Sequence, residues 1–418
     1  MQTNFNLEQF IKDHVTKREE SLLKPDFGKY DAELNKRING KKVLVIGGAG
    51  TIGSSYIKAI LKFKIAKLVV VDINENGLTE LVRDLRSSTS YNIPDEFITY
   101  PVNFGDRVFE KIFRHHGPFE IVANFAAHKH VRSEKDIFSI EAMIENNVLK
   151  ARKLLDLLVN YPPEHFFCVS TDKAANPVNI MGASKKLMEE TIMSYSDRLP
   201  IKTARFANVA FSNGSLPLGF LDRMQKNQPW SCPLNIRRFF VSPQESGELC
   251  LMASIMGESG DIFFPKLDEE RDMIPFDRIA LDLLKYLGME ADVCETEEEA
   301  KDKANRLPRF ARNDGAIGGN DDTVKYPVYF FSSDTSGEKP YEEFFTEKED
   351  LDNDSFINLG VIKNSVKRNS KEIDEIFTKL HNLFESDNVS KGAIVEILKT
   401  YLPDFKHIET GKGLDSKM

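Results

Sequence analysis

The stretch "VLVIGGAGTIGSS", residues 43 to 55, constrains the fold more than any other. An apolar run ends at Gly47, Gly50 and Gly53 follow, and the chain then enters "SSYIKAILKF", whose apolar spacing reads as a helix. A strand that turns into a helix through closely spaced glycines gathers backbone N–H groups at the helix N-terminus, where a pyrophosphate can approach without meeting a Cβ. Glycines alone also build ordinary tight turns. The second mark is Asp72, at the end of the apolar run "KLVVVD" and 19 residues beyond Gly53 (72 minus 53), where a carboxylate accepts hydrogen bonds from ribose hydroxyls. Ile73 and Asn74 follow it in place of an arginine, so a 2′-phosphate would meet repulsion without compensation. The cofactor expected from this pattern is NAD.

From Lys41 onward, short apolar runs alternate with helical patterns: "KVLVIGG", "KLVVVD", "EFITYPVN", "EIVANFAA", "HFFCVS" and "IKTARFA". Runs this continuously apolar suit strands buried on both faces, which predicts an α/β fold, a Rossmann-like doubly wound parallel sheet. Residues 1–40 read as a polar helical arm with Phe10, Ile11, Val15, Leu22 and Leu23 as contacts, a packing or oligomer device, and a homo-oligomer is expected. The expected division is an NAD-binding domain over 41–208, a smaller mixed substrate-binding region over 209–350 and a C-terminal helical extension over 351–418. Within it, "NDGAIGGNDD" at 313–322 has the composition of a mobile loop, and "ETEEEAKDK" reads as a solvated helix face.

A net charge of −9 disfavours nucleic acid and anionic membranes as partners. Cys168, Cys232, Cys250 and Cys294 lie far apart in sequence and form no metal or disulfide pattern. The N-terminus has no apolar leader and no stretch reaches the roughly 18 apolar residues of a membrane span, so a cytoplasmic chain without a span is expected. His128 and His130 have no companion at ligand spacing, and no metal is expected.

Asp172 and Lys173 follow the run "HFFCVS" at its carboxyl end, where open parallel sheets bind ligands. Met181 and Lys185, four apart, share one face of the helix that follows. The string "STDKAANPVNIMGASK" resembles the nucleotide-sugar 4,6-dehydratases of bacterial polysaccharide and glycan biosynthesis, a branch of the extended short-chain dehydrogenase/reductase superfamily acting on UDP-N-acetylglucosamine. So do "AAHKHV" at 126–131, "NNV" at 146–148, "RFANVAFSNGS" at 205–215, "RRFF" at 237–240 and "GEKPYEE" at 337–343. The superfamily normally places a tyrosine where Met181 stands, and one subgroup of these dehydratases carries methionine there.

The resemblance implies roles. Asp172 is the acid at the C6 oxygen, Lys173 the base at C5, Thr171 a partner of the C4 hydroxyl, Lys185 the ligand of the nicotinamide ribose, and Met181 filler beside the nicotinamide. NAD would lie against Gly47, Gly50, Thr51, Ile52, Gly53, Asp72, Ile73, Asn74, Asn103, Phe104, Ala126 and Ala127. The nucleotide sugar would meet Lys129, His130, Asn208, Ser215, Arg238 and Glu338. The chain departs from the family at Ala207, usually glycine, at Ala210-Phe211, usually Leu-Gly, and at Thr335-Ser336, usually Arg-Pro, which leaves Arg238 as the candidate cation for the diphosphate. Two other functions fit the same residues: a sugar-nucleotide 4-epimerase or oxidoreductase, and a non-catalytic NAD or sugar-nucleotide binding protein.

Overall fold

In the computed structural model, which describes residues 5–307, 324–332, 339, 341–386 and 389–408, the apolar runs become strands in sequence order. These are β1 (Lys42–Ile46), β2 (Lys67–Asp72), β3 (Glu96–Pro101), β4 (Ile121–Asn124), β5 (His165–Val169) and β6 (Ile201–Ala204). They lie side by side as β3-β2-β1-β4-β5-β6, all parallel, with Leu44 opposite Val69 and Val45 opposite Ala123. Every residue of β4, β5 and β6 is buried, as expected of strands with helices on both faces. The chain leaves β1 toward β2 on one side and returns to β4 on the other. The crevice outside the carboxyl ends of β1 and β4 is therefore the switch point at which such sheets bind ligands.

The sheet continues past the division expected at residue 208. Asp261–Pro265, a buried "DIFFP", adds a parallel strand beside β6. Leu359–Ile362 and Leu351–Asp352 then add two antiparallel strands, giving nine in all, before the helices Ser370–Phe384 and Lys391–Tyr401 of the C-terminal segment. Two small three-stranded sheets lie between. One joins Asn208–Val209, Arg237–Val241 and Met273–Pro275, and the other joins Trp230–Leu234, Met289–Cys294 and Val324–Ser332. The acidic run forms the helix Glu297–Asn305, which buries Ala300 and Ala304 and exposes Glu297's neighbours, while residues 313–322 lie outside the described residues.

The N-terminal arm packs on its own chain. Phe10, Ile11, Val15 and Leu23 are buried, with Phe10 edge-on to Phe211 at 5.8 Å. Its polar residues are paired with the body: Arg18 donates to both carboxylate oxygens of the buried Glu245 at 2.7 and 2.8 Å, and the buried Asp26 carboxylate accepts from the amides of Ile357 and Asn358 at 2.6 and 2.9 Å. Among the described residues no helix is long and apolar enough to cross a membrane.

Candidate functional site

The glycine loop is shaped by contacts that admit no side chain. Gly47 has φ +76°, and a Cβ there would sit 2.5 Å from the amide nitrogen of Ala126, just beyond β4. A Cβ on Gly53 would lie 2.2 Å from the Gly47 carbonyl oxygen, so this glycine lets the helix Thr51–Ile60 close onto the loop. Gly50 differs: its Cβ would meet only the Gly47 carbonyl, at 3.5 Å, an ordinary contact. The chain's own packing does not require glycine at 50, which leaves room above the helix N-terminus as the reason for it. The Thr51 hydroxyl accepts from the Asn213 amide at 3.0 Å and ties this loop to the one after Asn208–Val209.

Asp72 is held rigidly, each carboxylate oxygen accepting one backbone amide at 2.9 Å, from Ala49 and from Asn74. It lines a cavity of about 210 Å³ together with Gly47, Gly50, Ile73, Asn74, Asn103, Phe104, Ala126 and Ala127. Two of the side chains expected here are already engaged: Asn74 caps the helix Glu75–Ser87 by accepting from Gly77, and Asn103 accepts from Gly105.

A second cavity of about 210 Å³ shares Phe125 and Ala127 with the first, so the two adjoin. It is lined by Ile52, Lys129, His130, Thr171, Asp172, Lys173, Met181, Lys185, Asn208 and Ser215. The Asp172 Oδ1 accepts from the Thr171 hydroxyl at 2.8 Å, the Lys173 amide at 2.9 Å and the Lys173 ammonium at 3.1 Å. Lys185 is buried and donates from Nζ to the Val169 carbonyl at 2.6 Å, and burial pushes its ammonium below the usual lysine range. Met181 is 1% exposed and packs in an apolar cluster with Ile140, Met143 and Leu187 while touching the cavity. Asn208 Nδ2 is buried and has no hydrogen-bond partner. Ser215 spends its oxygen on the amide of Leu218, capping the helix Leu216–Gln225.

One expected substrate residue does not line this cavity. Arg238 is buried on the strand Arg237–Val241, where one guanidinium nitrogen donates to the Arg237 carbonyl, and it lines neither cavity. Glu338 lies outside the described residues.

The structure also assembles residues that had no role in the reading of the sequence. Asn147 bridges the loop after β4 to the Met181 helix: it accepts from the His128 amide and donates to the His128 carbonyl and to the Ser184 hydroxyl, which donates to the Met181 carbonyl. Glu134 accepts from the Met181 amide at 2.9 Å. Beneath Ser170, Glu189 and the fully buried Arg205 form a bidentate pair. Burial alone would raise the Glu189 carboxyl, but Arg205, Lys186 and Ser170 together hold it below the usual range. Glu342 places Oε1 3.8 Å from the Lys173 ammonium, and burial raises its carboxyl, an effect that Lys173 opposes and Asp172 reinforces. The sequence signals were the matched strings "NNV", "RFANVAFSNGS" and "GEKPYEE", which hold Asn147, Arg205 and Glu342.

Among solved structures, the fold is similar to that of Pen from Bacillus thuringiensis, with a TM-score of 0.60 at 19% identity over 80% of this chain and 90% of that one. It is also similar to a UDP-glucose 4-epimerase from Thermotoga maritima, solved with UDP-glucose, with a TM-score of 0.51 at 18% identity over 73% and 90%. In sequence, the chain is 31% identical over 238 residues to an uncharacterized membrane protein of Methanocaldococcus jannaschii, covering 55% of this chain and 68% of that one. It is 27% identical over 258 residues to the probable polysaccharide biosynthesis protein EpsC of Bacillus subtilis, covering 61% of this chain but only 42% of that longer protein. The family described as "Polysaccharide biosynthesis protein" matches residues 43–303, which takes in the residues lining both cavities but not Glu342. With more than half of its length matched, glycine loop and Thr171–Asp172–Lys173 included, the chain belongs to this polysaccharide biosynthesis protein family.

Proposed function

We propose that this chain removes water from a UDP-N-acetylhexosamine, UDP-N-acetylglucosamine first, to give the 6-deoxy-4-keto sugar, with NAD held along the two adjoining cavities. The observation that carries this reading is the hydrogen-bonded set Thr171–Asp172–Lys173, opening on the same cavity as Lys185 and Met181. A dinucleotide fits the residues present: Asp72 offers fixed acceptors to a ribose, the space over Gly50 and the helix N-terminus suits a pyrophosphate, and Lys185 lines the adjoining second cavity. Bound NAD would take a hydride from C4 and return it to C6.

The chain's own residues then have proton transfers to perform. Because a thioether cannot carry a proton, Met181 is excluded from them. The Thr171 hydroxyl, which already donates to Asp172, relays the C4 hydroxyl proton to that carboxylate. Asp172 passes it to the C6 oxygen, which departs as water. The 4-ketone acidifies the C5 proton, Lys173 accepts it as an amine base, and it returns to C5 once hydride has reached C6. The protons balance: one leaves with the water and the other is restored. Asn208 Nδ2, buried without a partner, supplies a donor for a substrate oxygen.

Mass spectrometry of UDP-N-acetylglucosamine incubated with the pure protein and NAD tests the reading. Loss of one water with no net NADH is expected. An unchanged sugar mass with epimer formation would replace it by the 4-epimerase reading, and stoichiometric NADH by an oxidoreductase.

A further inference from the structure

Glu342 is a buried carboxyl with no place in the proton transfers above. Glutamates are rarely buried this completely unless paired, because an unpaired carboxylate loses its solvation without return. Its segment is clamped on both sides. The Glu343 carboxylate accepts from the Asn176 side chain at 2.7 Å, and the Lys339 ammonium donates to the Asn176 carbonyl at 2.7 Å, which fastens the segment to the turn following Lys173. On the other side, Arg205 donates to the Phe344 carbonyl at 3.0 Å and to both Glu349 oxygens at 3.0 and 2.9 Å. The same Arg205 is paired with Glu189, which holds Ser170, the residue before Thr171. Glu342 and the Asp172–Lys173 pair thus hang from one buried network, and the Lys173 ammonium lies 3.1 Å from an Asp172 oxygen and 3.8 Å from a Glu342 oxygen.

We propose that Glu342 is a positioning residue for Lys173, sharing its amine with Asp172 and so fixing where that amine lies and how readily it reacts. The second carboxyl draws the amine away from a purely intra-turn pairing with its neighbour Asp172, leaving Asp172 free to exchange protons with Thr171. The effect on turnover rests on the dehydratase reading, whereas the effect on the Lys173 amine does not.

The test therefore has two arms, both on the full chain with NAD affinity as the control for folding. In the first, competitive labelling with acetic anhydride, followed by peptide mass spectrometry, compares Lys173 with the exposed Lys371. Removing the carboxylate that faces the Lys173 Nζ at 3.8 Å frees the amine to meet the reagent. Glu342→Gln is expected to raise Lys173 labelling at least about threefold, with Glu342→Asp in between; the Asp variant carries this arm if the Gln variant does not fold. In the second arm, Glu342→Gln lowers kcat for water loss at least about tenfold, as misplacing a reacting group does, with KM within about twofold. In a Lys173→Met background it has no further effect. Unchanged Lys173 labelling in both variants, or full additivity with Lys173→Met, overturns the proposal. A wild-type protein that dehydrates no UDP-sugar overturns the dehydratase reading instead, and the labelling arm still decides Glu342.

Discussion

At the residue scale, a thioether at Met181 leaves the proton transfers of the dehydratase reading to Thr171, Asp172 and Lys173, which line the same cavity. If Met181 only fills space beside the cofactor, Met181→Leu, which nearly conserves volume and costs less than about 1.5 kcal/mol of stability, leaves turnover largely intact. Asp172→Asn and Lys173→Met each lower kcat by at least about 10²-fold, the usual contribution of a positioned proton-transfer group, with NAD affinity unchanged. Steady-state water loss and calorimetry on the three variants check this. A Met181→Leu protein as damaged as Asp172→Asn would sink the division of roles. These residues were legible because they sit on one short string. Glu342 was not, since a carboxylate 169 positions from Lys173 (342 minus 173) is brought to it by tertiary contacts through Asn176 and Arg205, and no local spacing encodes that. Phe211 shows the converse case. It holds φ +52°, a conformation that favours the glycine usual in the resembled family, and here the ring's contact with Phe10 accompanies a backbone that L-residues avoid.

At the scale of elements, the parallel strands keep their chemistry at the carboxyl ends and bury an ionisable pair at the opposite ends of β5 and β6. His165 and Lys202 are both buried, with Lys202 Nζ 3.3 Å from His165 Nδ1. Burial first, then the charges of Lys202, Arg37 and Lys41, depress the His165 pKa from 6.5 to about 3. The unfolded chain therefore takes up this proton while the folded chain does not, so stability falls as pH drops from 6.5 toward 3 and is unaffected by this group above 6.5. Each pH unit in that window costs up to about 1.4 kcal/mol. Guanidinium unfolding at about pH 7 and about pH 5 is expected to show wild type losing roughly 2 kcal/mol more than His165→Gln. Equal losses would mean that His165 titrates normally. The strands themselves were readable from their apolar runs. The last strands, Leu359–Ile362 and the edge strand Leu351–Asp352, were not, because they are short and Leu359–Ile362 pairs antiparallel with Asp261–Pro265, far away in the chain.

At the scale of the whole molecule, the N-terminal arm is tied to the same body that carries the site. The arm's apolar residues announced that it packs on something, but whether on itself or on a second copy depends on where its charges find partners. Arg18 answers this: its guanidinium binds Glu245 and Asp272, whose side chains are 2% and 4% exposed, and it also donates to the Phe240 carbonyl. Glu245 in turn caps the buried helix Pro243–Met256 in a reciprocal capping box with Ser242. Breaking a buried ion pair from one side leaves a desolvated charge behind, at a cost of about 3–5 kcal/mol. Arg18→Met, which keeps much of the stem's packing, is expected to lower the unfolding free energy by roughly 3 kcal/mol or more, with NAD affinity at the folded protein unchanged because neither cavity of the site contains Arg18 or Glu245. A double variant with Glu245→Gln recovers part of that loss, since the stranded charge is then removed. If Arg18→Met instead changes only the oligomeric state seen by light scattering and leaves stability intact, the arm serves a neighbouring copy after all, and the intramolecular pairing is not what holds it.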